Sequence, residues 1–503
     1  MKKNDRFHIV IEDLGENGEG IGRADGYTLF VKGALIGDEI EGVCTKAQKS
    51  YGFGRLLRVV KPGPDRVEAR CPVAGPCGGC QLQCMDYAAQ LAFKERKVRE
   101  HLVRIGGMSP EEADVVMEPI VGAEDPWRYR NKAQVPFARK AVGAADGSTA
   151  GFRTVYGFYA GRTHSVIERD DCLIEQEGDA EILRAVRDFC DEAGVAAYDE
   201  ERHEGLLRHV LIRSSRSGER LVCLVVNAGT RKAAERGFRH RLAELVGRLT
   251  GEPRTEEADA AGCGAGALCT TVTLNLNPNR TNVILGDETV VLAGSGYITE
   301  RLDAGDRALE YRISTRSFFQ VNPAQTEKLY GTAMEFAGLT GRETVWDLYC
   351  GTGSISLFAA LRAGQVHGAE IIEDAVRDAR ENARMNGVEN ADFVCGRAED
   401  ILPAEAAKGW RADVIIVDPP RKGCAPELLD AACVMRPERI VYVSCNSATL
   451  ARDIALLREK GYVPRRVRPV DMFPMTVGVE TVVLLSKGNI SSEKIREEFT
   501  SSH

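Results

Sequence analysis

The sequence predicts an α/β protein of several domains: a small β-barrel first, a mixed α+β region next, and a doubly wound parallel sheet flanked by helices at the C-terminal end. Three observations carry this. At 503 residues the chain is too long for one core. Its first sixty or so residues alternate short β-rich runs with glycine and Asp-Gly turns. After Tyr311, apolar strands alternate with helical segments, the pattern of a parallel sheet.

The barrel runs are FHIVIEDL, YTLFVKG, DEIEGVCT and GRLLRVV, with a turn at Asp25-Gly26, and the expected domain covers 1–62. Nine Lys/Arg balance nine Asp/Glu through residue 60, so a merely solvated barrel surface stays open. Pro62-Gly63-Pro64 reads as a linker. The expected central domain, 63–310, holds a cysteine cluster and mixed strands. Two Gly/Ala/Ser-rich stretches in it, KAVGAADGSTAG and GEPRTEEADAAGCGAGAL, read as mobile insertions. The expected third domain, 311–488, runs from helix PAQTEKLYGTAMEFA through strand TVWDLY, a helix after Gly353, strand QVHGAE and helix DAVRDARENARMN to strands DFVC, ADVIIVD and RIVYVS. Residues 489–503 form a polar tail.

Hydrophobic residues make up 44% of the chain and charged ones 28%, and no stretch approaches the ~20 apolar residues that span a bilayer. No membrane role is expected. The opening MKKNDRFHIVIEDLGENGEG shows no secretory leader, so a cytoplasmic protein is expected. A net charge of -8 means that any nucleic-acid site is a local basic patch. WRYRNKAQVPFARK, residues 127–140, is a candidate, with five Lys/Arg, no acid, and Trp127, Tyr129 and Phe137 interleaved. Cations there would meet phosphates and rings would stack on unpaired bases. A solvated edge strand explains the same composition.

In VWDLYCGTGSIS, Gly351 and Gly353 follow an apolar strand and precede a helix, and Glu370 ends the next strand. This is the layout of a nucleoside-binding βαβ unit, in which the glycines admit the ligand and the acid holds ribose hydroxyls. Ser356 stands where a dinucleotide fingerprint has its third glycine, which favours S-adenosylmethionine, a nucleoside without a pyrophosphate. DVIIVDPPRKG brings Asp418 to the same edge of the sheet, on a loop stiffened by Pro419 and Pro420. Cys445, in VYVSCNSATLARD, ends the following strand, where a thiolate beside a cofactor suits a covalent nucleophile. Free cysteines are also common core residues. Methylation at C5 of a pyrimidine needs such a thiol, because C5 becomes nucleophilic only after addition at C6. A base must then remove the C5 proton, and Glu480, at the start of the last apolar strand, is a candidate for it, although a carboxylate there is more often an ordinary strand-end residue.

CPVAGPCGGCQLQC sets Cys71, Cys77, Cys80 and Cys84 within a short, turn-rich stretch. That spacing suits a metal centre, and it does not separate zinc from an iron-sulfur cluster.

Taken in order, FFQVNPAQ, DLYCGTGSISL, VDPPRKG, VYVSCNSATLARD and DMFPMTVGVETV resemble the bacterial RNA uracil-C5 methyltransferases that carry a TRAM domain, of the type acting on 23S ribosomal RNA. The resemblance covers nearly the whole chain. It implies a Rossmann-like catalytic domain, an OB-like TRAM barrel that grips RNA, Cys445 as nucleophile and Glu480 as base. It also implies that Gln320, Tyr349, Gly351, Gly353, Glu370 and Asp418 surround S-adenosylmethionine, and that Cys71, Cys77, Cys80 and Cys172 hold a [4Fe-4S] cluster in the central domain. Cys84 departs from that pattern and is the alternative fourth ligand. Ser354 stands where some members carry asparagine. The expected product is 5-methyluridine in 23S rRNA, with transfer RNA the other candidate substrate, made by a monomeric enzyme. The rival readings are an RNA cytosine-C5 methyltransferase and a non-catalytic iron-sulfur protein that binds RNA or senses redox state.

Overall fold

The computed structural model describes residues 1–143, 149–161, 163–251 and 266–488. The two Gly/Ala/Ser-rich stretches fall partly, and the tail from residue 489 entirely, outside these. The chain forms two compact units: Met1–Pro126, Glu335–Gly338 and Glu405 onward make one, Trp127–Met334 and Leu339–Ala404 the other.

The first unit opens with β1 (Arg6–Leu14), β2 (Glu19–Ala24), β3 (Tyr27–Lys32), β4 (Glu39–Ala47) and β5 (Tyr51–Lys61), closed into a barrel in the order β1-β2-β3-β5-β4. Alternation drives it: Phe7, Ile9, Ile11, Leu29, Val31 and Ile40 point inward and make the core. β2 was hidden in the sequence because its inward positions are glycines; a Cβ on Gly22 would lie 2.5 Å from the Val10 carbonyl oxygen. Pro62-Gly63-Pro64 is not a free linker. The Gly63 amide donates to Asp38 Oδ1 at 2.8 Å, and Arg66 Nη2 donates to Asp38 Oδ2 at 2.6 Å. Helix α1 (Tyr87–Arg104) follows, capped by Asp86, then α2 (Pro110–Val116), whose Ser109 and Glu112 form a capping box.

In the second unit β6 (Lys132–Gly143), β7 (Thr149–Tyr159), β8 (Val166–Glu168), β9 (Leu207–Ser214), β10 (Arg220–Val226), β11 (Thr271–Leu276) and β12 (Glu288–Ala293) form one sheet in the order β12-β11-β10-β9-β6-β7-β8. Helices α3 (Asp179–Ala193), α4 (Arg231–Gly237) and α5 (Leu242–Thr250) share its apolar core. Here the 127–140 segment departs from expectation. β6 lies between β9 and β7 rather than at an edge, Tyr129 and Phe137 are buried, and Phe137 stacks on Tyr156 with centroids 5.6 Å apart. Those two rings serve the core and do not offer themselves to bases.

A hairpin of β13 (Tyr297–Asp303) and β14 (Ala308–Ser314) and helix α6 (Pro323–Ala337) lead into β15 (Thr344–Leu348), α7 (Ser354–Ala360), β16 (Gln365–Glu370), α8 (Glu373–Met385), β17 (Ala391–Cys395) and α9 (Ala398–Ala407). β15, β16 and β17 are parallel neighbours. Back in the first unit come β18 (Val414–Val417), α10 (Pro426–Val434), β19 (Arg439–Ser444), α11 (Ser447–Glu459), β20 (Tyr462–Val470) and β21 (Glu480–Lys487), in the sheet order β18-β19-β21-β20. β18 and β19 are parallel as expected, but β21 runs antiparallel to both β19 and β20. The loop 471–479 is too short for the crossover that a parallel pair requires. Among the described residues no helix is long and apolar enough to cross a membrane.

Candidate active site

In the second unit, β15 runs out into Tyr349, held at φ 64°, then Gly351 at φ 54° and Gly353 at φ 78°, the residue that caps α7. The left-handed turn explains glycine at 351, and a Cβ there would meet only open space, so a ligand can approach the backbone. Glu370 ends β16. Its Oε2 accepts the Gly351 N–H at 3.2 Å and its Oε1 the Ile372 N–H at 2.9 Å. Each carboxylate oxygen keeps a further lone pair, enough to accept from ribose hydroxyls. Ile371 and Ile372 are 62% and 59% exposed beside it, an apolar ledge suited to a purine face. Gln320 is buried, and its backbone carbonyl accepts from Asn131 Nδ2 at 3.1 Å.

One residue here was not singled out in the sequence. Asp347, in mid-β15, is 1% exposed; its Oδ2 accepts from Ser356 Oγ at 2.5 Å and its Oδ1 has no partner. Burial pushes its carboxyl up to about 7. Ser356 therefore serves this carboxylate where a dinucleotide fold would place glycine. The signal was an acid inside an apolar strand. Ser354, the departure from the family pattern, shares a hydrogen bond with the Tyr330 hydroxyl at 3.0 Å.

In the first unit, Cys445 lies between the end of β19 and Asn446, the cap of α11, whose Oδ1 accepts from the Ala448 and Thr449 amides. The antiparallel ladder pairs Ser444 with Thr481. Cys445 and Glu480 are the next residues beyond that pair, near enough for the charge of one to act on the other. Glu480 is 2% exposed and its Oε2 has no hydrogen-bond partner. Burial, and then the charges of Glu480 and Asp418, push the Cys445 thiol up to about 11, with Arg421 opposing. Burial and then Asp418 hold the Glu480 carboxyl well above the usual range, again opposed by Arg421. Cys445, Glu480, Asp418 and Arg421 thus form one electrostatic group.

The walls of this group are fixed from behind. The Arg421 carbonyl accepts from Asn446 Nδ2 and Thr449 Oγ1, both at 3.2 Å. Asp453, fully buried, accepts the Cys424 N–H at 2.8 Å and the Tyr442 hydroxyl at 2.6 Å, which ties the loop after β18 to α11 and β19. Loop 471–479, which delivers Glu480, is held by α1 and the residues before it. Lys94 Nζ sits 2.6 Å from Asp471 Oδ1 with both side chains fully buried, and the Tyr87 hydroxyl donates to Asp471 Oδ2 at 2.9 Å. The Met475 N–H donates to Gln90 Oε1 at 3.0 Å, and the Gln81 and Leu82 amides donate to the Met475 carbonyl at 3.1 and 3.0 Å.

The cysteines divide. Cys84 packs with Leu14, Leu35, Leu82 and Met85, as a core residue does. Cys71, Cys77 and Cys80 are half-buried on the preceding loop, where the Gly79 amide donates to Cys77 Sγ at 3.4 Å. Cys172 is half-buried in the second unit. Among the described residues no three His, Cys, Asp or Glu side chains come together to hold a metal ion, so the loop as it stands presents no gathered ligand set.

The comparisons with known proteins give the class of protein. Residues 282–488 match the family tRNA (Uracil-5-)-methyltransferase, and residues 2–57 match the TRAM domain. The crystal structure of Pyrococcus abyssi tRNA (uracil-54, C5)-methyltransferase in complex with S-adenosyl-L-homocysteine is similar with a TM-score of 0.69 at 25% identity, over 95% of this chain and 100% of that one. The C-terminal region therefore has the methyltransferase fold. An uncharacterized RNA methyltransferase of Halalkalibacterium halodurans is 44% identical over 489 residues, 97% of this chain and 98% of its own length. One from Clostridium tetani is 42% identical over 487 residues, 97% of each. The chain belongs to this family of S-adenosylmethionine-dependent, TRAM-containing RNA uracil-C5 methyltransferases.

Proposed function

We propose that the protein methylates C5 of a uridine in RNA through a Cys445 adduct at C6, with Glu480 as the base. The observation that supports this most directly is the Ser444–Thr481 pairing, which brings the strand end at Cys445 beside Glu480, a buried carboxylate with an unpartnered oxygen. S-adenosylmethionine supplies the electrophilic methyl group; Gln320, Tyr349, Gly351, Gly353, Glu370 and Asp418 are assigned to holding it. Cys445, once its thiol proton has been lost to solvent, adds as the thiolate to C6 and leaves the electron pair on C5, which would take the methyl from the sulfonium sulfur and release S-adenosylhomocysteine. Glu480 then removes the C5 proton, the C6–S bond breaks, and the thiolate returns. An elevated carboxyl pKa makes the ionised Glu480 a stronger base than a surface glutamate. The target uridine must be unpaired or flipped out to reach the thiol.

The favoured substrate is 23S rRNA, on the resemblance that also assigns Cys71, Cys77, Cys80 and Cys172 to a [4Fe-4S] cluster of structural or RNA-positioning role. A transfer RNA substrate is the second reading, favoured by the substrate named for the Pyrococcus abyssi enzyme. The domain bounds 1–62, 63–310 and 311–488, and a monomeric cytoplasmic protein, complete the proposal. The test is transfer of labelled methyl from S-adenosylmethionine into bulk RNA lacking 5-methyluridine, separated by size and digested to nucleosides. Label as 5-methyluridine in 23S RNA is expected, and Cys445→Ala should abolish it. Label in transfer RNA would change the substrate, label as 5-methylcytidine would change the base, and undiminished label with Cys445→Ala would remove the nucleophile.

A further inference from the structure

One face of α1 carries polar side chains where a packed helix normally carries apolar ones. Tyr87, Gln90, Lys94, Lys97 and His101 recur every three or four positions, so they stack along a single stripe of the helix. Each reaches a partner outside α1. The Tyr87 hydroxyl and Lys94 Nζ take the two oxygens of Asp471, and Lys94 Nζ also donates to the Phe473 carbonyl at 3.1 Å. Gln90 accepts the Met475 N–H, and Lys97 Nζ donates to the Val477 carbonyl at 3.3 Å and to the Glu16 carbonyl at 3.2 Å. These contacts fall on residues 471, 473, 475 and 477, every second position of the loop that leads to Glu480. The far end of the stripe serves a different element. His101 Nδ1 shares a hydrogen bond of 2.8 Å with Ser447 Oγ, two residues beyond Cys445 in the first turn of α11.

Stability alone does not call for this arrangement. Gln90 and Lys94 are buried and Lys97 and His101 half-buried, and burial holds both lysines and the imidazole below their ordinary pKa. Apolar side chains of similar volume would pack the same face at no greater cost. What they would not supply is direction. A hydrogen bond weakens steeply once its angle or length drifts, whereas apolar contact tolerates sliding. A neutral imidazole also keeps one ring nitrogen as an acceptor, so it can take the Ser447 hydroxyl without a counter-ion.

We propose that Lys97 and His101 are positioning residues of the methyl transfer, and that α1 sets the placement of Cys445 against Glu480 by holding the helix after one and the loop before the other. The proposal rests on the reading of Cys445 as nucleophile and Glu480 as base, and adds the element that aligns them. The two residues act on different steps. Lys97 governs loop 471–479, so losing it displaces the base: Cys445 still adds to C6 and C5 still takes the methyl, but the C5 proton stays and the C6–S bond persists. His101 governs the first turn of α11, so losing it displaces the thiol, and the adduct does not form.

The test is incubation of the full-length protein with methyl-labelled S-adenosylmethionine and bulk RNA lacking 5-methyluridine, followed by separation of released product from label held in a protein–RNA adduct on a denaturing gel. Lys97→Met should slow release about tenfold or more and raise the labelled adduct above the parent's. His101→Leu should lower adduct and product together by about tenfold or more, with KM for S-adenosylmethionine within about twofold. His101→Asn, whose side-chain amide can occupy the place of Nδ1, should restore most of the product. Amide hydrogen exchange by mass spectrometry reads the same placement without turnover. Lys97→Met should speed exchange in 471–480 and His101→Leu in 445–450, each leaving the other segment at the parent's rate. Losses by both variants at the same step, or His101→Asn no better than His101→Leu, would overturn the assignment. Exchange altered in neither segment, or in both by either variant, would overturn it as well. A parent that forms neither adduct nor product, with the exchange pattern as expected, would count against the nucleophile and base alone and leave the hold of α1 on both segments standing.

Discussion

At Cys445 the free protein holds a thiol at about 11, so almost none of it is ionised at neutral pH. Alkylation by iodoacetamide, followed at the Cys445 peptide by mass spectrometry, should therefore accelerate about tenfold per pH unit from 7 to 10. Asp418→Asn removes a charge that holds the thiol up, so the variant should react faster at pH 8. A rate that levels off near pH 7 would contradict this. Asp347 gives a stability signature. Its folded carboxyl, up to about 7, lies above its ordinary 3.8, so its favourable share is complete below about pH 4 and lost as pH rises through 7. A shift of that size amounts to about 4 kcal/mol at most. Asp347→Asn should lose less melting temperature than the parent between pH 5 and 8, read by calorimetry. Cys445 and Glu480 were picked out in the sequence by the motif order behind the family resemblance, since each taken alone is an ordinary residue for its place. Asp347 and Asp453 were not, because a buried acid declares itself only through its partners.

At the scale of elements, Glu480 depends on the grip on loop 471–479. Lys94 and Asp471 neutralise each other without water, so removing one partner strands the other. Lys94→Met should cost about 3–5 kcal/mol in urea unfolding, and adding Asp471→Leu should recover much of that loss. A double variant no more stable than the single one would show that the ion pair is not the grip. The helices and parallel strands of the last region were readable from periodicity and length. The antiparallel turn of β21 was not, because it follows from a loop's span rather than from any residue in the strand. The 127–140 segment misled for a similar reason: alternating rings and cations describe a nucleic-acid face and a sheet interior equally well, and the neighbours β7 and β9, distant in sequence, decide.

At the scale of the molecule, sequence order and spatial order differ. Residues 117–121 run along β20, with Met117 bridging to Val467 and Val121 to Val470, and Glu118 takes salt bridges from Arg466 and Arg468. A fragment of residues 311–488 would lose those partners together with Lys94. It should express poorly or unfold at least 10 °C below the full chain by thermal melting, about what a loss of several kcal/mol produces. Equal stability would show that the interleaving is incidental.

That interleaving also sets a timetable. On the ribosome the chain emerges from its N-terminus at about 5–20 residues per second. The barrel can close as soon as β5 is out, and the last residue of the second unit is Ala404. Lys94 and Glu118 must wait for residues 466–471, several hundred positions later. For some tens of seconds α1 therefore carries a lysine prepared for burial with no aspartate to receive it. The face it will cover stays exposed for as long, which makes the interval before release the period when this protein has most need of a chaperone.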